Sequence, residues 1–393
     1  MEQINDLNRY HIPHQKTTLL PRIVCSVIFC YFTFVFLYYY QADILAVAQH
    51  ILSDGKTHYD KTIGAILITF VLFILEVAIF SWVRLSKAGY ALTFFPSLLF
   101  LTMITDFDQN LENKFSFSSW LIVFPLLILI WAAVMWIMKE YLTDEQKSKP
   151  YSIFSHAMWV NLLELAMMFC MVCLFSNNND VFHYRARIEQ DIIKGQYKDA
   201  QLVGEKSEVA NPNLVMLRAF SLAKTNQLGE KLFEYPLTGG SNSLIPNDKN
   251  IQLLMIPNSV FYRSVGISHH KNLASIQNIA VSANQNRVAK ITKDYLLCAY
   301  LLDKKLDQFV SVLPKYYPVD SLLPKHYKEA LTLYTHLRSN PKLVYRQEVL
   351  EADFQDYQTL SKMYPEANVR KTKLRDVYGK TYWYYYQYQA IGQ

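Results

Sequence analysis

Cysteine and glycine are scarce, at 5 and 11 of 393 residues. Four of the cysteines (Cys25, Cys30, Cys170, Cys173) lie in apolar runs and only Cys298 lies outside them, so no disulfide framework is available. Cys170 and Cys173 have the Cys-x-x-Cys spacing of a redox pair. Their apolar surroundings, Phe-Cys-Met-Val-Cys-Leu-Phe, read instead as small hydrophobes in a core. Catalytic signatures are missing too. There is no phosphate-cradling Gly-Lys-Ser/Thr loop, no His-Glu-x-x-His, no Gly-x-Ser-x-Gly and no clustered Cys/His zinc pattern. The pair His269-His270 suits a single metal poorly, because adjacent helical side chains diverge by about 100°. No catalytic residue, metal or cofactor is therefore expected, and no nucleic-acid motif points to that partner. The most informative absence is positional: after residue 176 no run is apolar enough to cross a bilayer.

Before residue 176 there are five such runs, at about 19–40, 62–83, 88–104, 118–137 and 153–175. At 1.5 Å per residue most of them reach about 30 Å. The first is too long for a signal-peptide core and ends in Tyr38-Tyr39-Tyr40, an interfacial signature, although Ala46-Val47-Ala48 faintly resembles a cleavage site. The third is short, follows Gly89 and contains Pro96, so a kinked or re-entrant course competes with a full crossing. Charge favours crossing. With five spans and the N-terminus inside, eight Lys/Arg (Arg9, Lys16, Arg22, Arg84, Lys87, Lys139, Lys147, Lys149) face the cytoplasm and three (Lys56, Lys61, Lys114) face out. The remaining chain then lies outside the cytoplasm, in the periplasm of a Gram-negative cell.

Two carboxylates fall inside spans, Glu76 and Glu164, with no Lys or Arg expected at their depth. They are candidates for an ion or proton relay; a neutral hydrogen bond between helices is the weightier reading. The first outer loop holds Asp43, Asp54, His58 and Asp60. An acidic first loop is a vague feature of polytopic glycosyltransferases that use lipid-linked sugars, so a membrane enzyme or transporter stays as the alternative. Residues 43–52 have a helical period and read as a surface helix or an extension of the first span.

The segment 177–393 reads as helix after helix. Gly195, Tyr197, Ala200 and Pro212 match the second half of a tetratricopeptide (TPR) repeat: a turn glycine, a packing tyrosine, a close-approach alanine and a proline opening the next helix. Asn226 falls 31 residues after Gly195, which fits a degenerate second unit. Further pairs are expected at 286–302 with 306–315, and at 324–337 with 344–363. Residues 235–258, with three prolines and two glycines, read as a long irregular loop, either a binding loop or a tolerated insertion, with the insertion preferred. Near the end, Arg370, Lys371, Lys373 and Arg375 precede the aromatic run Tyr382-Trp383-Tyr384-Tyr385. Such a run can dock on a membrane surface or cap the helical stack, and capping is preferred.

Charge divides as hydropathy does. Residues 1–176 hold 11 Lys/Arg against 13 Asp/Glu, and 177–393 hold 28 against 20. The basic excess of the second part favours an acidic partner: anionic lipid, an acidic polymer or a protein.

Four stretches carry a resemblance: Ala46-Val-Ala-Gln-His-Ile-Leu-Ser-Asp-Gly-Lys-Thr57, Ala91-Leu-Thr-Phe-Phe-Pro-Ser97, Gly229-Glu-Lys-Leu-Phe-Glu-Tyr-Pro236 and Tyr378-Gly-Lys-Thr-Tyr-Trp-Tyr-Tyr385. Together they resemble a family of multi-pass proteins of unknown function from anaerobic Gram-negative bacteria. The resemblance implies an inner-membrane protein with a periplasmic helical-repeat domain and supplies no catalytic residue. The expected architecture is thus all-α: a transmembrane bundle over 1–176 and a TPR-like α-solenoid over 177–393. The expected role is a scaffold that presents the second domain to a protein or peptide of the cell envelope.

Overall fold

The computed structural model describes residues 19–83, 89–106, 119–141, 156–247, 251–270, 273–285, 288–320 and 322–389. Among these every regular element is helical, and the only extended pairing is one isolated bridge between Asn247 and Ile251. The chain forms two compact units divided after Asn179.

The first unit comprises α1 (Leu19–Val35), a π turn (Phe36–Tyr40), α2 (Ala42–Leu52), α3 (Lys61–Val83), a 3-10 turn (Tyr90–Phe94) continuing into α4 (Phe95–Thr105), α5 (Trp120–Tyr141) and α6 (His156–Phe175). Four helical segments are long and apolar enough to cross a membrane: Leu20–Tyr40, Lys61–Val83, Trp120–Met138 and His156–Phe175. They carry large apolar side chains on their outer faces, such as Phe70 (58% exposed) and Leu174 (71%). Water does not tolerate such a surface, but hydrocarbon does. Of the basic residues used in the charge count, Arg9, Lys16, Arg84, Lys87, Lys114, Lys147 and Lys149 lie outside the described residues.

The third run, Tyr90–Thr105, falls short of the other four in length. It nevertheless traverses the bundle. Its start is bonded to α6 near that helix's beginning, Ala91 N–H to Asn161 Oδ1 at 2.8 Å, and its end is bonded just past the far end of α6, Thr105 Oγ1 to Ser176 Oγ at 2.9 Å. Pro96 does not kink it, because it sits in the first turn of α4, where a proline's missing N–H costs nothing. After α1, Gln41 N–H closes the π turn on Phe36 O, and α2 departs as a separate helix. Ile44–Ala48 of α2 are buried, so it packs on the bundle rather than extending the first span.

The second unit comprises α7 (Asp180–Ile193), α8 (Tyr197–Leu202), α9 (Pro212–Lys224), α10 (Leu228–Lys231), two 3-10 turns (Leu232–Glu234, Gly240–Leu244), α11 (Asn258–Val265), α12 (Ser275–Ala283), α13 (Lys290–Leu302), α14 (Leu306–Tyr316), α15 (Lys325–Leu337), α16 (Glu348–Met363), α17 (Ala367–Tyr378) and α18 (Tyr382–Tyr388). Helix α9 is its centre: every residue from Leu214 to Ala223 is buried, as expected of a helix surrounded on all sides.

Three helical hairpins share one turn. In α7/α8, α9/α10 and α13/α14 the second residue after the first helix is left-handed: Gly195 (φ +73°), Asn226 (φ +57°) and Lys304 (φ +56°). In each, the next N–H bonds back five residues at 2.8 Å: Gln196 to Asp191, Gln227 to Leu222 and Lys305 to Tyr300. This is a Schellman-type ending, favourable for glycine and costly for lysine.

The described residues of 235–257 form no helix beyond the 3-10 turn Gly240–Leu244, yet much of the segment is buried. Leu237, Leu244, Ile245, Ile251, Met255 and Ile256 are buried in the second unit. The buried Glu189 of α7 accepts from the backbone N–H groups of Leu254, Met255 and Ile256 at 2.7–3.2 Å. A segment that supplies core side chains and is bonded this way is part of the scaffold rather than a tolerated insertion.

Candidate functional site

Several buried polar groups of the first unit gather where the third run begins. Gly89 (φ +90°) starts the 3-10 turn, which leaves N–H groups without helical partners. Three helices hold this turn. Glu76 of α3, 2% exposed, accepts from Tyr90 Oη at 2.9 Å and Thr93 Oγ1 at 3.2 Å. Asn161 of α6 accepts from Ala91 N–H, and Trp131 of α5 donates to Leu92 O at 2.9 Å. Glu76 also has a cation within electrostatic reach. Arg22 of α1 lays its guanidinium 3.9 Å from the centre of the Phe80 ring, close to the Glu76–Tyr90 pair. This overturns the expectation of no nearby Lys or Arg. Arg22 lies about one turn into α1, and its long side chain reaches inward from there. Glu76 therefore ties α3 to the turn.

Glu164 differs. It is half-buried on α6, and its Oε2 is buried without a hydrogen-bond partner. Cys25 of α1, fully buried, lies within electrostatic reach of both Glu164 and Glu76. A carboxyl with a free buried oxygen can take a proton, a cation or a donor from another helix.

The acids between the first two spans are structural or dispersed. Asp60 caps α3, accepting from Thr62 and Ile63 N–H at 2.9 Å. Asp43 lies in α2 and Asp54 in a left-handed turn (φ +50°). Among the described residues no three His, Cys, Asp or Glu side chains group as metal ligands.

In the second unit the C-terminal aromatic run is interior. Tyr382 (0% exposed) and Trp383 (2%) are buried with Tyr384 and Tyr385. Tyr382 Oη and Tyr385 Oη donate to Leu301 O and Leu302 O at 3.1 and 2.8 Å, which satisfies the last carbonyls of α13. Trp383 Nε1 donates to Glu329 O at 2.8 Å, and Tyr382 N–H to Glu329 Oε2 at 2.7 Å. The same Oε2 lies 2.9 Å from His326 Nδ1, while His326 Nε2 is buried without a partner. The basic residues ahead of the run lie on α17. Arg370 donates to Tyr364 O and Pro365 O, Arg375 is 3.6 Å from Glu208, and Lys371 and Lys373 are exposed.

Three buried polar groups had no sequence signal, because each depends on a distant segment. Asp294 accepts from Tyr317 Oη (2.6 Å) and Tyr327 Oη (3.1 Å), and burial pushes its carboxyl above the usual range against the pull of those bonds and of Lys290 and Lys293. Beside it Cys298 is fully buried, and burial pushes its thiol well up, so it is not a poised nucleophile. Arg218, 1% exposed, donates to Gly204 O at 2.8 Å and faces the Tyr235 ring; its Nε and Nη1 are unpartnered.

The sequence matches the model of a family of unknown function, DUF6057, over residues 112–270 and 266–389. No curated protein and no solved structure matches it. The two matched stretches cover well over half of the chain, which therefore belongs to that family.

Proposed function

We propose that this DUF6057 protein is an inner-membrane scaffold. The first unit sits in the bilayer, its N-terminus on the cytoplasmic side, and the second unit meets a protein or peptide partner in the periplasm. One observation above all supports this reading: α7/α8, α9/α10 and α13/α14 share one left-handed turn, which is what a stack of like hairpins would use. Stacked hairpins build extended binding surfaces, as TPR-like solenoids do. The basic excess of residues 177–393 favours an acidic partner, and the interior Tyr382–Tyr385 run serves as the end cap of the stack rather than a membrane anchor.

A second reading, a transporter or an enzyme acting on lipid-linked substrates, is favoured by one feature: the unpartnered buried oxygen of Glu164. A single set of strains separates the two. Alkaline phosphatase fused to the C-terminus is expected to be active, and a cytosol-dependent reporter there silent; the reverse result overturns the topology and the scaffold role with it. Crosslinking in native membranes should then recover an envelope protein bound to the second unit. Loss of function in Glu164→Gln at normal protein level, with no crosslinked partner, selects the second reading.

A further inference from the structure

The first unit contains a cavity of about 500 Å³ between α4, α5 and α6. Its walls are Phe95, Leu98 and Leu99 of α4, Val123 and Leu127 of α5, and Met168 and its neighbours on α6, almost all of them apolar. Its origin lies in how α5 is attached. Trp131 Nε1 holds one point of α5 to Leu92 O at 2.9 Å, and Trp120 Nε1 holds the other end to Asp106 Oδ2, also at 2.9 Å. These anchors are eleven residues apart, about 16 Å along the helix. Between them α5 contributes nothing to the first core, which is built from α1, α2, α3, α4, α6 and the π and 3-10 turns. The helix is pinned at two points and leaves a slot between them.

The mouth has a different chemistry. Among the described residues, Asp106 is the only charged one lining the cavity, and it sits beside Ser119 and Trp120. The indole N–H fixes one carboxylate oxygen, while Asp106 itself stays exposed. A carboxylate at the mouth is a receptor for an ammonium group, by charge and by charge-assisted hydrogen bonding. The first turn of α5 starts at the same mouth, and its dipole favours a phosphate there.

We propose that this cavity binds one acyl chain of a membrane phospholipid whose headgroup carries a primary ammonium, as in phosphatidylethanolamine. The inference rests on the reading that α3, α5 and α6 span a bilayer. Hydrocarbon outside the slot is as apolar as its walls, so burial alone gives no preference. Occupancy is favoured because the walls of an unfilled slot have no atoms to attract on one side, and the mouth selects the lipid. Dispersion holds the chain; Asp106 distinguishes an ammonium lipid from phosphatidylglycerol, which has no cation to offer.

The test uses the full chain reconstituted in vesicles with phosphatidylethanolamine bearing a photoactivatable diazirine in its acyl chain. Crosslinks are expected to concentrate on peptides containing Leu98, Leu99 and Met168 over the outward Ile66 and Phe70 of α3. Unlabelled phosphatidylethanolamine should compete about tenfold better than phosphatidylglycerol, and Asp106→Asn should abolish that preference. Leu99→Trp should remove the cavity crosslinks and spare those on α3. Even labelling of cavity and outward positions, or an Asp106→Asn protein that keeps its preference, overturns the site alone. Release of the protein from membranes by alkaline carbonate overturns the bilayer reading, and the site with it.

Discussion

Glu76 and Glu164 look alike as residues: each is a lone carboxyl in an apolar helix. Their surroundings separate them. Glu76 is engaged by Tyr90 and Thr93, whereas one oxygen of Glu164 has no partner. In the second unit Asp294 offers a cleaner test of what burial does to a carboxyl. Its folded-state pKa is raised, chiefly by desolvation, so the native state holds its proton to higher pH than the unfolded chain does. Stability contributed by this group is therefore largest below the unfolded value and declines as pH climbs through the raised one. Asp294→Asn removes that dependence. Urea titrations at pH 4 and pH 7 should show the variant gaining on the wild type as pH rises; a gap that is constant or moves the other way refutes the assignment.

Among the elements, three hairpins share one turn. Gly195, Asn226 and Lys304 adopt the same backbone at the same offset; glycine favours it, asparagine tolerates it and lysine is strained by it. An added Cβ at Gly195 would meet no atom within 4 Å, so the effect of Gly195→Ala is conformational alone. It should cost about 1 kcal/mol in a chemical denaturation curve, with the helical content of the native protein unchanged. A cost near zero would mean that a side chain does not strain this turn. The Glu189 contact shows the complementary principle. There one side chain organises a stretch without helical order by accepting three of its N–H groups.

At the scale of the whole molecule the described residues form two hydrophobic cores, one in each unit, with no residue in common. Trp383 belongs to the second, where it touches Phe354, Tyr357 and Tyr378 and donates to Glu329 O. Trp383→Ala should therefore cost the second unit about 3–5 kcal/mol and leave the first untouched. Urea unfolding of the full chain in detergent, followed by hydrogen exchange in each unit, checks this. A loss of protection spread over α1, α3 and α6 would contradict the independence of the cores.

The sequence by itself determined the all-helical class of the chain and its apolar runs of span length. Apolar runs of span length and the 3.6-residue period need only neighbouring residues to be read, and Gly195, Ala200 and Pro212 announce the hairpins by local backbone rules. The fate of the aromatic run, the core role of 235–258 and the company of Glu76 could not be read this way. Each depends on groups brought together from far along the chain: Tyr382 on Leu301, Leu254 on Glu189, and Arg22 on the Glu76–Tyr90 pair. The cavity mouth was equally silent in sequence. Asp106 and Trp120 are fourteen residues apart, and only the packing of α5 against α4 makes them neighbours. Local periodicity specifies helices, whereas the burial and pairing of a polar side chain are properties of the assembled interior and appear only once the helices are packed.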